Sequence, residues 1–279
     1  MKRIFTMCIA ICTMLTGFAQ TDTTGQKTDT IKIGGMIIIR KPGANTAESR
    51  RDKHIIISNN RHYKPSNIST NWIILDLGFA NYNDKSNYAT AATSGFIQGG
   101  MNKDDFKLRT VKSVNVNIWF FMQRMNLIQH VVNLKYGLGL ELNNYRYDNE
   151  AIRFQKNPTY IYNDETLAAV NVKKNKLAAD YITVPLMLNF NFTPGQSRGF
   201  GLSAGISAGF LYSARQKIKI GGDKTKLHND FDLERWKLSY VGELNLGPVR
   251  LYGSYALKSM WSKGLDQTPY NVGLRFSNW

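Results

Sequence analysis

Apolar and polar residues alternate along most of the chain after residue 71. In the clearest segment, residues 128–143, every even position from 132 to 142 is apolar, and every odd position from 133 to 143 is polar or glycine. A period of two places successive side chains on opposite faces of a β-strand, whereas a helix repeats every 3.6 residues. The segment is therefore a predicted strand with one apolar and one polar face.

Eight such segments follow one another to the end of the chain. They are residues 72–80, 111–122, 128–143, 180–192, 199–213, 236–246, 249–261 and 270–279. In the second segment the alternation places Val114, Phe120 and Met122 together on the apolar face. The first tight turn is predicted near residues 123–126, and the connections are long, short, long, short, long, short and medium. One apolar face with alternating loop lengths is typical of a membrane β-barrel.

The predicted fold class is all-β, an eight-stranded antiparallel transmembrane β-barrel with a short N-terminal periplasmic extension. An open sheet edge in lipid leaves backbone groups unpaired, so the last strand must pair with the first. Phe276 and Trp279 are the predicted barrel-closing signal for the barrel-assembly machinery. Trp279 is out of phase with Phe276, so Phe276 is the alternative carrier of the signal, with Trp279 at the membrane interface.

A soluble lipocalin-like carrier is the alternative eight-stranded fold, with its apolar face turned inward around a ligand. Alternation alone does not separate the two folds. The polar face is rich in Gly, Ser and Asn with a few mixed charges, which suits the filling of a narrow lumen. A solvent-exposed face would carry more Lys and Glu, so the membrane barrel is favoured.

The N-terminus predicts a secreted protein. Lys2 and Arg3 precede an apolar run and then Gly17-Phe18-Ala19, the layout of a signal peptide with cleavage before Gln20. The predicted domains are a signal peptide (1–19), a periplasmic leader with a candidate β-hairpin (20–71) and the barrel (72–279). The hairpin would pair residues 31–40 with residues 53–58. The alternative inserts both runs into the barrel, which would then have ten strands.

The chain of 279 residues carries 36 basic and 20 acidic side chains, a formal charge of 36 − 20 = +16. A basic protein suits nucleic acid or an anionic surface. The basic residues are spread along the sequence without a Lys/Arg-rich block, which argues against nucleic acid as a partner. The expected partners are outer-membrane lipid, the assembly machinery and an envelope or secretion protein, and the expected location is the bacterial outer membrane.

Charged residues on the polar face predict a paired cluster inside the lumen. Isolated charges in a narrow lumen would be costly, whereas acids facing bases can pair. The predicted cluster consists of Asp76, Lys135, Glu141, Lys237, Glu243, Arg250, Lys258 and Arg275. Because about eight strands leave room only for side chains, we predict a plugged anchor without a wide pore.

The sequence offers little catalytic chemistry. A rim-acting lipid enzyme is an alternative function, and its remote candidates are His228, Asp230 and Asp232 in one long loop. No nucleophile elbow, phosphate-binding loop or zinc-ligand spacing occurs in the sequence. We therefore expect a non-enzymatic protein without catalytic residues, metal or cofactor.

Four sequence features resemble the PorT-like outer-membrane barrels. They are the signal peptide, LDLGFANY at residues 75–82, DYITVPLMLNF at residues 180–190 and the aromatic C-terminus. The resemblance covers roughly residues 70–279 and implies an eight-stranded barrel in the outer membrane. The family's named member is linked to a protein-secretion system, so the resemblance adds an accessory role in secretion as an alternative function.

Overall fold

The computed structural model describes residues 30–33, 36–39, 66–194, 196 and 199–277, and the chain divides into two units. In the first unit, residues 1–61, strand β1 (Thr30–Ile33) pairs with the antiparallel strand β2 (Met36–Ile39). Apart from Thr30, both strands lie in the first predicted apolar run, and Gly-Gly, a favoured two-residue hairpin sequence, separates them. The hairpin is thus more local than predicted; residues 53–58 lie outside the described residues.

The second unit, residues 62–279, is built from antiparallel strands. In chain order they are β3 (Ile68–Asp84), β4 (Val114–Ile128), β5 (Val132–Arg146), β6 (Ile152–Gln155), β7 (Tyr160–Asn163), β8 (Val172–Asn191), β9 (Phe200–Ile220), β10 (Asp223–His228), β11 (Trp236–Leu246), β12 (Val249–Ala256) and β13 (Gln267–Phe276). Strands β6 and β7 form a separate hairpin. The predicted all-β antiparallel class is confirmed.

Eight of these strands close into a ring. The pairing order is β9-β11-β12-β13-β3-β4-β5-β8, and β8 pairs back with β9. The last strand meets the first as predicted, from Gln267 opposite Asp84 to Phe276 opposite Leu75. Strand β10 adds a ninth strand, beside the far end of β9.

The seam between β3 and β13 depends on two facing glycines, Gly78 and Gly273. A Cβ atom on Gly78 would lie 2.3 Å from the carbonyl oxygen of Val272 and 2.5 Å from the hydroxyl of Tyr252. Such a contact would force the backbone or Tyr252 to move. Glycine therefore lets Tyr252 pack across the inside of the closing strand pair.

The connections alternate in length around the ring. At one end, called the loop end, long connections contain helix α1 (Tyr88–Thr93), a 3-10 turn (Thr110–Lys112), β6, β7, helix α2 (Glu165–Ala168) and β10. None of the helices in the described part of the chain is long and apolar enough to cross a membrane.

The opposite end, called the turn end, has short connections. The β4–β5 turn lies at residues 129–131, later than the predicted 123–126. Gln129 and His130 have positive φ values of 46° and 60°, the conformation of the tight turns that match the twist of paired strands.

A β-bulge reverses the predicted facing of one strand. The register of β4 against β5 shifts between Trp119 and Phe121, leaving Phe120 as the extra residue. A bulge changes which face the following residues occupy. Met122 is accordingly buried inside the ring, at 0% exposure, so its predicted place on the apolar outer face was wrong.

The outer face of the ring is apolar. Five leucines, one on each of β3, β13, β12, β11 and β9, lie directly opposite one another in neighbouring strands and form a row. Each is 37–44% exposed. They are Leu77, Leu274, Leu251, Leu244 and Leu202. Exposed aromatic or aliphatic residues occur on seven of the eight ring strands, and on β5 the outward apolar residues are half-buried.

The loop end carries a packed hydrophobic core of its own, called the loop core. Phe154 of β6 lies at its centre, fully buried. Its ring stacks on Trp261 at 6.0 Å and 12° and contacts Phe231 at 5.4 Å. Gln216 of β9 fixes the β6 strand to the ring wall, accepting a 3.0 Å hydrogen bond from the Phe154 amide and donating one of 2.9 Å to the Ile152 carbonyl. The long connections therefore form an ordered head.

Candidate functional site inside the ring

The best-defined ion pair inside the ring joins the first and last strands. Arg275 lies directly opposite Asp76 in the β13–β3 register. Its Nε and Nη2 atoms each donate a 2.7 Å hydrogen bond to a different carboxylate oxygen of Asp76. Arg275 is 7% and Asp76 0% exposed. Bidentate geometry of this kind gives a strong and directional pair.

Arg275 also extends the pair across the interior. Its Nη1 atom bonds Glu243 of β11, and Glu243 in turn bonds Lys135 of β5. Asp76, Arg275, Glu243 and Lys135 thus form one connected chain of charges from β3 to β5. Glu243 lies on β11, which is three strands around the ring from both β3 and β5, so the chain of charges crosses the lumen by way of β11.

A second ion pair lies beside this chain. Lys237 of β11 bonds Glu141 of β5. The carboxylate of Glu141 also accepts 3.0 Å hydrogen bonds from the side-chain amides of Asn143 and Asn271. The two buried partners are therefore neutralised and hydrogen-bonded, the condition under which a buried charge is tolerated.

The six buried members form a balanced set, called the interior network. It contains three carboxylates and three cations: Asp76, Glu141, Glu243, Lys135, Lys237 and Arg275. Two cavities beside it measure about 30 Å³ each, room for about two water molecules apiece, and a wider, open pocket of about 980 Å³ along β11, β12 and β13 also reaches Glu243. The network therefore places paired side chains across the interior of the ring.

Trp119 is a member of this site that sequence reasoning missed. Its indole Nε1 donates a 2.7 Å hydrogen bond to Asp76, and the guanidinium of Arg275 lies 5.5 Å from its ring centre. Asn117, two residues earlier, donates a 3.1 Å bond to the same carboxylate. The shared parity of Trp119 with Asn115 and Asn117 is the signal that could have placed it inside.

An apolar layer lies next to the network. Ile74, Trp119, Met122 and Met187 form a buried cluster inside the ring. The bulge in β4 turns Met122 inward to complete it. The interior thus combines paired charges with close-packed apolar side chains.

Two predicted members of the charge cluster lie elsewhere. Lys258 is exposed, beyond the end of β12. Arg250 is half-buried near the turn end and donates to the backbone carbonyl and hydroxyl of Ser277. Lys258 follows the strand that would have directed it inward, and Arg250 lies in the last turn-end row, where solvent is accessible.

The predicted closing signal is described in part. Phe276 lies opposite Leu75 at the turn end of the seam and is 54% exposed on the outer face. Trp279 lies outside the described residues. The role of both residues in assembly stays a prediction.

The remote enzyme candidates do not come together. His228 is exposed at the end of β10, Asp232 pairs with Lys263 at 3.0 Å, and Asp230 lies 3.9 Å from Arg235. Among the described residues, no group of three or more His, Cys, Asp or Glu side chains is placed to hold a metal ion.

Comparison with known proteins gives a family. The family model described as outer membrane protein beta-barrel domain matches residues 75–260. The crystal structure of Ail, the attachment invasion locus protein of Yersinia pestis, is similar at 12% identity and a TM-score of 0.32, covering 74% of this chain and 98% of that chain. Comparison with curated proteins finds no match. Since the family model spans most of the closed ring, the chain belongs to the outer membrane protein beta-barrel domain family.

Proposed function

We propose that this protein is a closed outer-membrane anchor: an eight-stranded transmembrane barrel that holds a rigid head at the cell surface and conducts no solutes. The observation that carries the proposal is the interior network, whose ion pairs link β3 and β13 to β11, and β11 to β5, across the lumen. The family supports a location in the outer membrane. The paired charges across the interior support a closed lumen.

The outer face supports insertion in a bilayer. Contiguous apolar surface on this scale would be an aggregation hazard in water, whereas lipid covers it in a membrane. Seven of the eight ring strands have ten residues or more, enough for a tilted strand to cross the hydrocarbon. A lipocalin-like carrier requires the opposite arrangement, with the apolar face inside.

The loop core supports a role at the cell surface. In outer-membrane barrels the long loops face outward and the short turns face the periplasm, which directs the head away from the cell. Buried aromatic packing gives the head a fixed shape. We propose that it presents a surface to an envelope or secretion partner, in line with the PorT-like resemblance, and that it is not an enzyme.

Fractionation and gel migration test the membrane anchor. The full-length protein is expected to fractionate with the outer membrane and to migrate faster on SDS gels when unboiled. Deleting residues 276–279 should remove the fast-migrating form, because the closing strand loses its aromatic end. A soluble, periplasmic protein without heat-dependent migration would contradict the proposed function.

A further inference from the structure

A compact array of lysines covers one outer patch of the wall at the loop end. It consists of two registered rows across β8, β9 and β10, called the lysine grid: Lys174, Lys219 and Lys224 in the upper row, and Lys176, Lys217 and Lys226 in the lower row. Each row runs perpendicular to the strands, with one lysine on each.

The sheet register explains why six lysines from three segments share one face. Residues directly opposite in antiparallel strands project to the same side. Lys219 pairs with Lys174 on one side and Lys224 on the other, while Asn175 and Ile218 between the rows are buried inside. The sequence shows the spacing as Lys at alternate positions, but strand pairing alone brings the segments together.

The lysine grid is an unfavourable arrangement for an isolated protein. Like charges directly opposite on neighbouring strands are destabilising. Among the described residues, no carboxylate forms an ion pair with any of the six lysines. The nearby Asp180 is bonded to Arg215, and Asp223 alternates with Lys224 onto the other face of β10.

The surroundings of the lysine grid change the pKa of Lys176, which lies outside the membrane-facing part of β8. Burial, followed by the charges of Lys174 and Lys217, lowers the pKa of Lys176 to about 8. The lysines line a cavity of about 530 Å³. The patch is thus a partly enclosed cationic groove that an anion could neutralise.

The position of the groove relative to lipid restricts its ligand. On β8 the outward apolar series begins at Ile182, opposite Phe210 of β9, which contacts Trp236 at 5.0 Å. Lys176 is six residues farther along the strand, about 20 Å along it or about 15 Å in height for a tilted strand. Ordinary phospholipid headgroups extend only about 5–8 Å beyond the hydrocarbon.

We propose that the lysine grid binds the phosphorylated sugar headgroup of a glycolipid in the surrounding outer leaflet. The grid faces outward, in line with the lipid-facing wall, at a height that a large sugar headgroup reaches. Multiple phosphates match two rows of cations at strand spacing. This inference rests on the proposed membrane anchor and adds a lipid-recognition site to it.

Titration of the purified, detergent-solubilised protein tests the site with three probes. They are rough lipopolysaccharide with phosphorylated core sugars, the same lipid after removal of its phosphates, and its released oligosaccharide without acyl chains. The wild type should bind the phosphorylated lipid most tightly. Changing the lower row to K176Q/K217Q/K226Q should weaken that binding by about 100-fold, since each lysine near an anionic surface contributes roughly fivefold.

The matched control is K85Q/K112Q/K156Q, which removes three exposed lysines from other loops and should retain wild-type affinity. Without ligand, the lower-row variant should have a higher unfolding midpoint than the wild type, because repulsion between the lysines is relieved.

Equal loss of affinity in the control, or no preference for the phosphorylated lipid, would overturn the proposal. Equally tight binding of the released oligosaccharide would assign the grid to a free polyanion instead. Heat-dependent migration on SDS gels tests the folded membrane barrel independently of lipid binding. If the protein migrates as a folded barrel but shows no preference for the phosphorylated lipid, the proposed lysine-grid site is overturned and the proposed membrane anchor is not.

Discussion

Replacing Arg275 with methionine is expected to destabilise the barrel by about 3–5 kcal/mol, the usual cost of breaking a buried ion pair. The substitution keeps much of the side-chain length but leaves Asp76 without its cation and Glu243 with Lys135 alone. The stranded carboxylate of Asp76 is fully buried. The measurement is the free energy of unfolding in urea and detergent.

Arg235→Met is the matched control. Arg235 also lies near an aspartate, Asp230, but both side chains are more than half exposed, so its loss should cost at most about 1 kcal/mol. If Arg275→Met fails to fold, the double variant Asp76→Asn/Arg275→Met should recover the folded form in part, because no carboxylate is stranded there. Equal effects of Arg275→Met and Arg235→Met would show that the interior network contributes little.

Replacing Phe154 with alanine should loosen the head at the loop end. Truncating a buried phenylalanine typically costs about 3–5 kcal/mol, and Phe154 has 0% exposure between Trp261 and Phe231. Since the loop core packs on the end of the ring, we expect the cost to appear as local opening of residues 147–171. Limited proteolysis of the folded barrel should then cleave these residues at least about 100-fold faster, the factor that corresponds to the lower end of this cost.

Val111→Ala supplies the control for this experiment. Val111 is an apolar residue of another long connection and is 79% exposed, so its truncation should change stability by less than about 0.5 kcal/mol. A head that resists protease equally in Phe154→Ala and Val111→Ala would contradict a cooperative loop core.

Strand alternation predicted the ring and its closure because a period of two is a property of the local sequence. Asp76 and Arg275 were both placed inside by parity, and their direct pairing follows from closure of the first strand on the last. Prediction of strand faces from alternating positions fails at the β-bulge in β4. One extra residue at Phe120 turns Met122 inward, and the sequence carries no local signal for it.

Contacts between distant segments were harder to predict. The basic residues looked scattered along the sequence, yet the β8–β9 and β9–β10 registers bring Lys174, Lys219 and Lys224 into one row. The loop core has the same origin, since Phe154, Phe231 and Trp261 come from three different connections. Loops lack a periodic pattern, so the alternation of residues could not predict which loop side chains pack together.

Conductance across a planar bilayer tests the closed lumen most directly. The wild-type protein, inserted in its heat-modifiable form, is expected to give no steps above the baseline, because paired charges cross the ring and an apolar layer lies beside them. Eight strands leave an interior just wide enough for side chains. No conductance steps are therefore expected at either polarity of the applied voltage. Large, steady single-channel currents from the wild type would contradict the account and show an open pore.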